Sequence, residues 1–117
     1  MGRHGEISCY ALIMKLDHTY IYGLLDECEG VIRYIGKTIN IRKRYGEHLN
    51  SKNNRNKEMS EWIVALQKKN KRPMLVILDC IHDEQSSEAE QFWINHFLAI
   101  GCDLINVKIN EKRRVKV

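Results

Sequence analysis

The sequence predicts one α/β (α+β) domain, and three features carry that expectation. Two short strand-like runs flank a turn, a third apolar run begins at Met74, and three helical patterns follow or separate them. A chain of 117 residues with 44% hydrophobic content is long enough for one self-supporting core. One proline and seven scattered glycines leave no linker, repeat or low-complexity stretch. The expected organisation is a single domain over 1–117, with a core of about 19–107, an N-terminal extension at 1–18 and a basic tail at 108–117.

In chain order, residues 7–16 (ISCYALIMKL) form an apolar run too brief to show a period, and an edge strand or a short helix both fit. Residues 19–25 and 31–36 read as strands joined by the turn-like DECEG, which ends in Gly30. Alternation puts Tyr20, Tyr22 and Leu24 on one face, and Ile32, Tyr34 and Gly36 on one face of the partner. A hairpin symmetric about Cys28 sets Tyr22 opposite Tyr34 and Tyr20 opposite Gly36.

Thr38 or Asn40 caps a helix running to about Asn50, with Ile41, Tyr45 and Leu49 as its inner stripe. Arg42, Lys43, Gly46 and Glu47 point away from that stripe, whereas Arg44 and His48 lie along its border, one turn apart. After the polar NSKNNRNK, a second helix over about 57–69 turns Met59, Trp62, Ile63 and Leu66 inward. Pro73 opens a third strand, MLVILDCI, apolar enough to be central in a sheet. The last helix starts at Ser86 or Ser87 and stops at Gly101, with a wide apolar arc that includes Phe92, Trp93, Phe97 and Ile100.

No apolar run approaches the roughly 20 residues of a membrane span, so no membrane partner is expected. GRHGE after Met1 carries no export core, which places the protein in the cytoplasm, bacterial or that of a host if phage-encoded. Cysteines at 9, 28, 80 and 102 form no CxxC pair, and Cys80, His82, His96 and Cys102 are too scattered to favour zinc. A net charge of +4 comes from 19 basic and 15 acidic residues, with cations clustered at 42–44, 68–72 and 111–116. Clusters of this kind favour a polyanionic partner.

Glu90 falls inside the apolar arc of the last helix, where an unpaired carboxylate is costly, so it needs a partner. One choice is a capping box with Ser87; the other is a hard cation completed by waters and a substrate phosphate.

Tyr20-Ile21-Tyr22, then Tyr34-Ile35-Gly36, then a basic helix with Arg44 and His48 and later EAEQFWI, resembles the catalytic domain of GIY-YIG endonucleases. The likeness runs from about Tyr20 to Asn106. It implies a three-stranded antiparallel sheet flanked by helices and an Mg²⁺-dependent DNA endonuclease, with Mn²⁺ substituting. By that resemblance Tyr22, Tyr34, Arg44, His48 and Glu90 are catalytic, Glu90 is the metal ligand, and Gly36 and Asn106 support substrate binding. Lys37 is assigned to phosphate contact.

Phosphodiester chemistry suits those residue types: a carboxylate for the metal, a guanidinium fork for the phosphate, and a phenol to take a proton from water. A free phenol has a pKa of about 10, so Arg44 and Lys37 are expected to lower that of Tyr22, with His48 as relay. Tyr20 departs from the family pattern, which calls for glycine there, and the loop 50–58 has no histidine to act as a base. A noncatalytic nucleic-acid-binding module on the same scaffold is the alternative. Phosphate contacts carry no base code, so sequence preference is expected to need dimerisation or a partner protein.

Overall fold

The computed structural model describes residues 18–50 and 56–105. The run 7–16, most of the polar loop, Asn106 and the basic tail lie outside the described residues. The described chain runs β1 (His18–Asp26), β2 (Val31–Thr38), α1 (Ile41–Leu49), α2 (Lys57–Lys68), β3 (Met74–His82), a 3-10 turn (Asp83–Gln85) and α3 (Ser86–Ala99). Among the described residues no helix is long and apolar enough to cross a membrane.

The strands form one antiparallel sheet in the order β2-β1-β3. The expectation that the third strand is central is therefore corrected: β1 is central, and β3 is an edge. The reason is visible in burial. Ile21, Tyr22 and Leu24 of β1 are all but inaccessible, so that strand is covered on both faces, whereas β3 leaves Met74 and Ile77 exposed. An apolar run alone does not distinguish an edge covered by a helix from a true centre.

Two cores lie on opposite faces of the sheet. On one, Tyr22 and Leu24 pack with Met59, Trp62, Ile63 and Leu66 of α2, and Ile41 and Tyr45 of α1 join them. On the other, Ile21, Ile32 and Ile35 meet Leu98 of α3, together with Trp93, Ile94 and Phe97. The inner stripe of α2 is as expected from its spacing. The arc of α3 is narrower than expected, with Phe92 and Ile100 exposed, because one sheet face can cover only about a third of a helix.

The hairpin differs from the symmetric one in a way that matters for chemistry. Tyr22 pairs with Gly36, Leu24 with Tyr34, and Tyr20 with Thr38. The register shifts between Leu24 and Leu25, so that Arg33 is the extra residue on β2. That bulge moves Tyr34 off the position opposite Tyr22 and brings Gly36 there. Arg33 at the bulge accepts from the Ile105 N–H and donates through Nε to the Asp103 carbonyl, pinning the end of the described chain.

Asp26 secures the turn. Its buried carboxylate accepts from the N–H groups of Cys28 and Glu29 and, through its other oxygen, from the Trp62 indole at 2.9 Å. Gly30 takes the left-handed conformation, φ 69°, that closes the loop. A turn acid and a core tryptophan thus tie the hairpin to α2.

Candidate active site

Asn40 caps α1 through its side chain, which accepts from the Lys43 N–H, and this fixes where the helix begins beyond β2. The helix then delivers His48 to the sheet. His48 is only 4% exposed, more deeply buried than the apolar stripe it was expected to border. Its Nε2 lies 2.7 Å from the Tyr22 hydroxyl, and its ring stands edge-on to Tyr34 at 4.9 Å. The two tyrosine rings are 6.2 Å apart.

Gly36 makes this possible. A Cβ built there would lie 2.6 Å from the Tyr22 hydroxyl oxygen and 2.9 Å from the Tyr34 ring. The Tyr22 phenol therefore crosses over Gly36, and a side chain rooted on the central strand ends at the outer strand β2. Any side chain at position 36 would collide with the Tyr22 ring that lies there.

Arg44 stands next to this group. Its side chain is 44% exposed, and its Nη1 pairs with Glu47 at 3.3 Å. The Tyr22 hydroxyl beside it, and then Tyr34, hold the guanidinium charged more firmly than usual. Arg44, Glu47, Lys43, Asn40 and Lys37 line an open depression of about 440 Å³ where β2 passes into α1. Glu47, expected to face solvent, pairs with Arg44 instead, and its place three residues on along one helix is the sequence signal for that pair.

Burial drives the Tyr22 phenol well above its ordinary value, and Tyr34 adds to the rise, while Arg44 opposes it without prevailing. This corrects the expectation that Arg44 and Lys37 lower it. A phenol 1% exposed has lost the water that would solvate its anion, and Lys37 faces elsewhere. Tyr22 is thus a neutral hydroxyl in hydrogen-bond contact with an imidazole.

Glu90 enters from the other face of the sheet. Its carboxyl is lifted above the usual range by burial, with Lys37 pulling the other way, and no contact joins it directly to Tyr22 or Arg44. The capping box with Ser87 does not form: the N-cap of α3 is Gln85, with no side-chain cap bond. The serines instead accept from Lys37 Nζ, Ser87 at 2.8 Å and Ser86 at 3.3 Å. So Tyr22, Tyr34, Arg44 and His48 gather on the α1 side of β2, and Lys37 and Glu90 on its α3 side. Gly36 and Lys37, adjacent in sequence, are where the two halves meet.

A family model described as the GIY-YIG catalytic domain matches residues 18–102, most of the chain and both halves of this site. The protein belongs to the GIY-YIG family. Its two signature runs are Tyr20-Ile21-Tyr22 on β1 and Tyr34-Ile35-Gly36 on β2, and the three-stranded antiparallel sheet with flanking helices agrees with that membership. No curated protein and no solved structure matches the chain. In this GIY-YIG domain Tyr20 stands in place of the first glycine of the pattern; it is half-buried and pairs with Thr38 and Cys80.

Among the described residues no three His, Cys, Asp or Glu side chains gather as a metal cluster, and Cys80, His82, His96 and Cys102 stay apart.

Proposed function

We propose that this GIY-YIG domain is a divalent-metal-dependent DNA endonuclease that hydrolyses phosphodiester bonds. The observation that carries the reading is the convergence of Tyr22, His48, Tyr34 and Arg44 on one spot over Gly36. Core packing requires none of those polar tips to meet.

Glu90 fits a magnesium ion. It is a single hard oxygen donor, half-buried, and among the described residues a neighbouring ammonium acts on it electrostatically and no soft ligand set surrounds it. Such a lone carboxylate is ordinary for Mg²⁺, which keeps several waters and takes phosphate oxygens, and unsuited to zinc. When bound, Mg²⁺, or Mn²⁺ in its place, would relieve charge on a phosphate oxygen and on the leaving group.

The protein's own groups do the rest. Arg44 offers its free N–H donors to the equatorial phosphate oxygens, where charge grows in the transition state. The attacking water gives its proton to the Tyr22 oxygen as the phenol's own proton passes to His48 Nε2. That concerted relay leaves Tyr22 neutral throughout, as its buried position demands, and makes imidazolium the charged product. Tyr34 positions the phosphate or the water.

DNA is the expected substrate because the net charge of +4 is concentrated in exposed stretches, including Arg42 and Lys43 beside the site and the cations at 68–72. Those contacts read phosphates rather than bases, so cleavage is expected to show little sequence preference unless a second copy or a partner protein adds it.

The test is incubation of the purified protein with plasmid, single-stranded and branched DNA, with Mg²⁺ or with chelator. Nicking that requires the metal is the expected result. Metal-independent binding without nicking, unchanged in Glu90→Ala, would instead identify a noncatalytic nucleic-acid-binding module, a reading that the separation of Glu90 from Arg44 would then favour.

A further inference from the structure

The first turn of α3 spends its hydroxyls in an unusual direction. A serine at a helix start ordinarily accepts from the backbone N–H groups of that turn. Here neither does: the Ser86 and Ser87 hydroxyls both accept from Lys37 of β2, a strand about fifty residues away in sequence. Ser86 is 6% exposed, so one arm of this grip is built on buried scaffold.

A lysine ammonium has three donors on a flexible stem, and its rotamer freedom works against any single placement. Two hydroxyls at 2.8 and 3.3 Å from one Nζ take two of those donors and confine the third to a narrow arc. Glu90 follows Ser86 and Ser87 by one turn on the same helix face, and Lys37 is the group that acts electrostatically on its carboxylate. Lys37 also follows Gly36, the residue crossed by the Tyr22 phenol. The grip therefore ties the edge strand, at the level of Tyr22, to the helix turn that carries Glu90.

We propose that Ser86 and Ser87 are positioning residues: they hold Lys37 so that its remaining N–H and the Glu90 carboxylate face the same substrate phosphate from the α3 side of β2. This rests on the nuclease reading above. The serines touch neither substrate nor metal; they set where the two α3-side groups stand relative to Tyr22 and Arg44.

The test compares Ser86→Ala/Ser87→Ala with the conservative Ser87→Thr in the full chain. Single-turnover nicking of plasmid at saturating DNA and Mg²⁺ is expected to fall about ten- to a hundredfold in the double variant, as for supporting residues around metal ligands. DNA affinity measured in chelator should stay within about twofold, melting temperature should be little changed, and Ser87→Thr should keep most of the rate. A ¹⁵N resonance of the Lys37 ammonium, slowed in proton exchange by the two hydroxyls, should appear in the wild type and vanish in the double variant. An unchanged nicking rate, a loss accounted for by weaker DNA binding or by unfolding, or no such resonance in the wild type would overturn the assignment. A wild type that shows the resonance but cuts no DNA would overturn the nuclease reading itself, and the catalytic use of the grip with it.

Discussion

Glu90→Gln is expected to slow cleavage about a thousandfold while making the metal-free protein more stable at neutral pH. Glutamine keeps the shape and loses the anion. On the proposed nuclease reading the carboxylate that would hold the metal is gone, and losing about 4 kcal/mol of transition-state stabilisation lowers the rate about a thousandfold. Stability moves the other way because burial raises the Glu90 carboxyl, so ionising it costs folding free energy. The sign fixes the pH dependence. A raised acid contributes most below its ordinary value of about 4.5 and loses that contribution as pH rises through the folded value. The melting-temperature gain of Glu90→Gln should therefore be present at pH 7 and absent near pH 4, where the wild-type carboxyl is protonated too. Thermal unfolding of both proteins in chelator across that range checks it; a variant less stable than wild type at pH 7 would show that Glu90 is held by partners rather than strained.

Tyr22→Phe carries the second large effect. The proposed relay to His48 is lost while the ring and its packing remain, so single-turnover cleavage should fall about 10²- to 10⁴-fold with DNA affinity unchanged. The buried hydroxyl to Nε2 bond at 2.7 Å goes as well, for about 0.5–1.5 kcal/mol of stability. At high pH the difference shrinks. The wild type holds a phenol whose ionisation is raised by burial, so its stabilising contribution is complete below about pH 10 and drains away as pH rises further. The phenylalanine variant lacks that alkaline loss, and chemical denaturation between pH 8 and 11 should show the stability gap closing. Weakened DNA binding in Tyr22→Phe would mean that the hydroxyl holds substrate instead of moving a proton.

The helices of this domain could be read in the sequence because their signals are local. The cap at Asn40, the stripe of Met59, Trp62, Ile63 and Leu66, and the left-handed Gly101 each depend on neighbours a turn away. The pairing of β1 with β2 could not, since one bulged residue, Arg33, decides which side chain faces Tyr22, and nothing in the residue itself announces a bulge. The site divides in the same manner. Helix spacing put Arg44 and His48 one turn apart, and only the resemblance to the GIY-YIG pattern joined them to Tyr22. Which charges Glu90 meets was not legible, because its partner comes from a strand on the far side of the chain, and the serines that looked like caps answer to Lys37. Asp26 gave no sign of linking the turn to Trp62, since a turn acid is common for local reasons.

The central claim is that two groups of residues on opposite faces of β2 act on one phosphate. Single-turnover cleavage by Arg44→Ala, Glu90→Ala and the double variant, all at saturating Mg²⁺ and DNA, tests it directly. Residues that work as a unit are strongly non-additive. Each single change should therefore cost a hundredfold or more, about 2.7 kcal/mol at 1.36 kcal/mol per tenfold, and the double variant should be little slower than the worse single. Glu90→Ala cutting at the wild-type rate, or a double loss equal to the product of the two single ones, would contradict a shared phosphate.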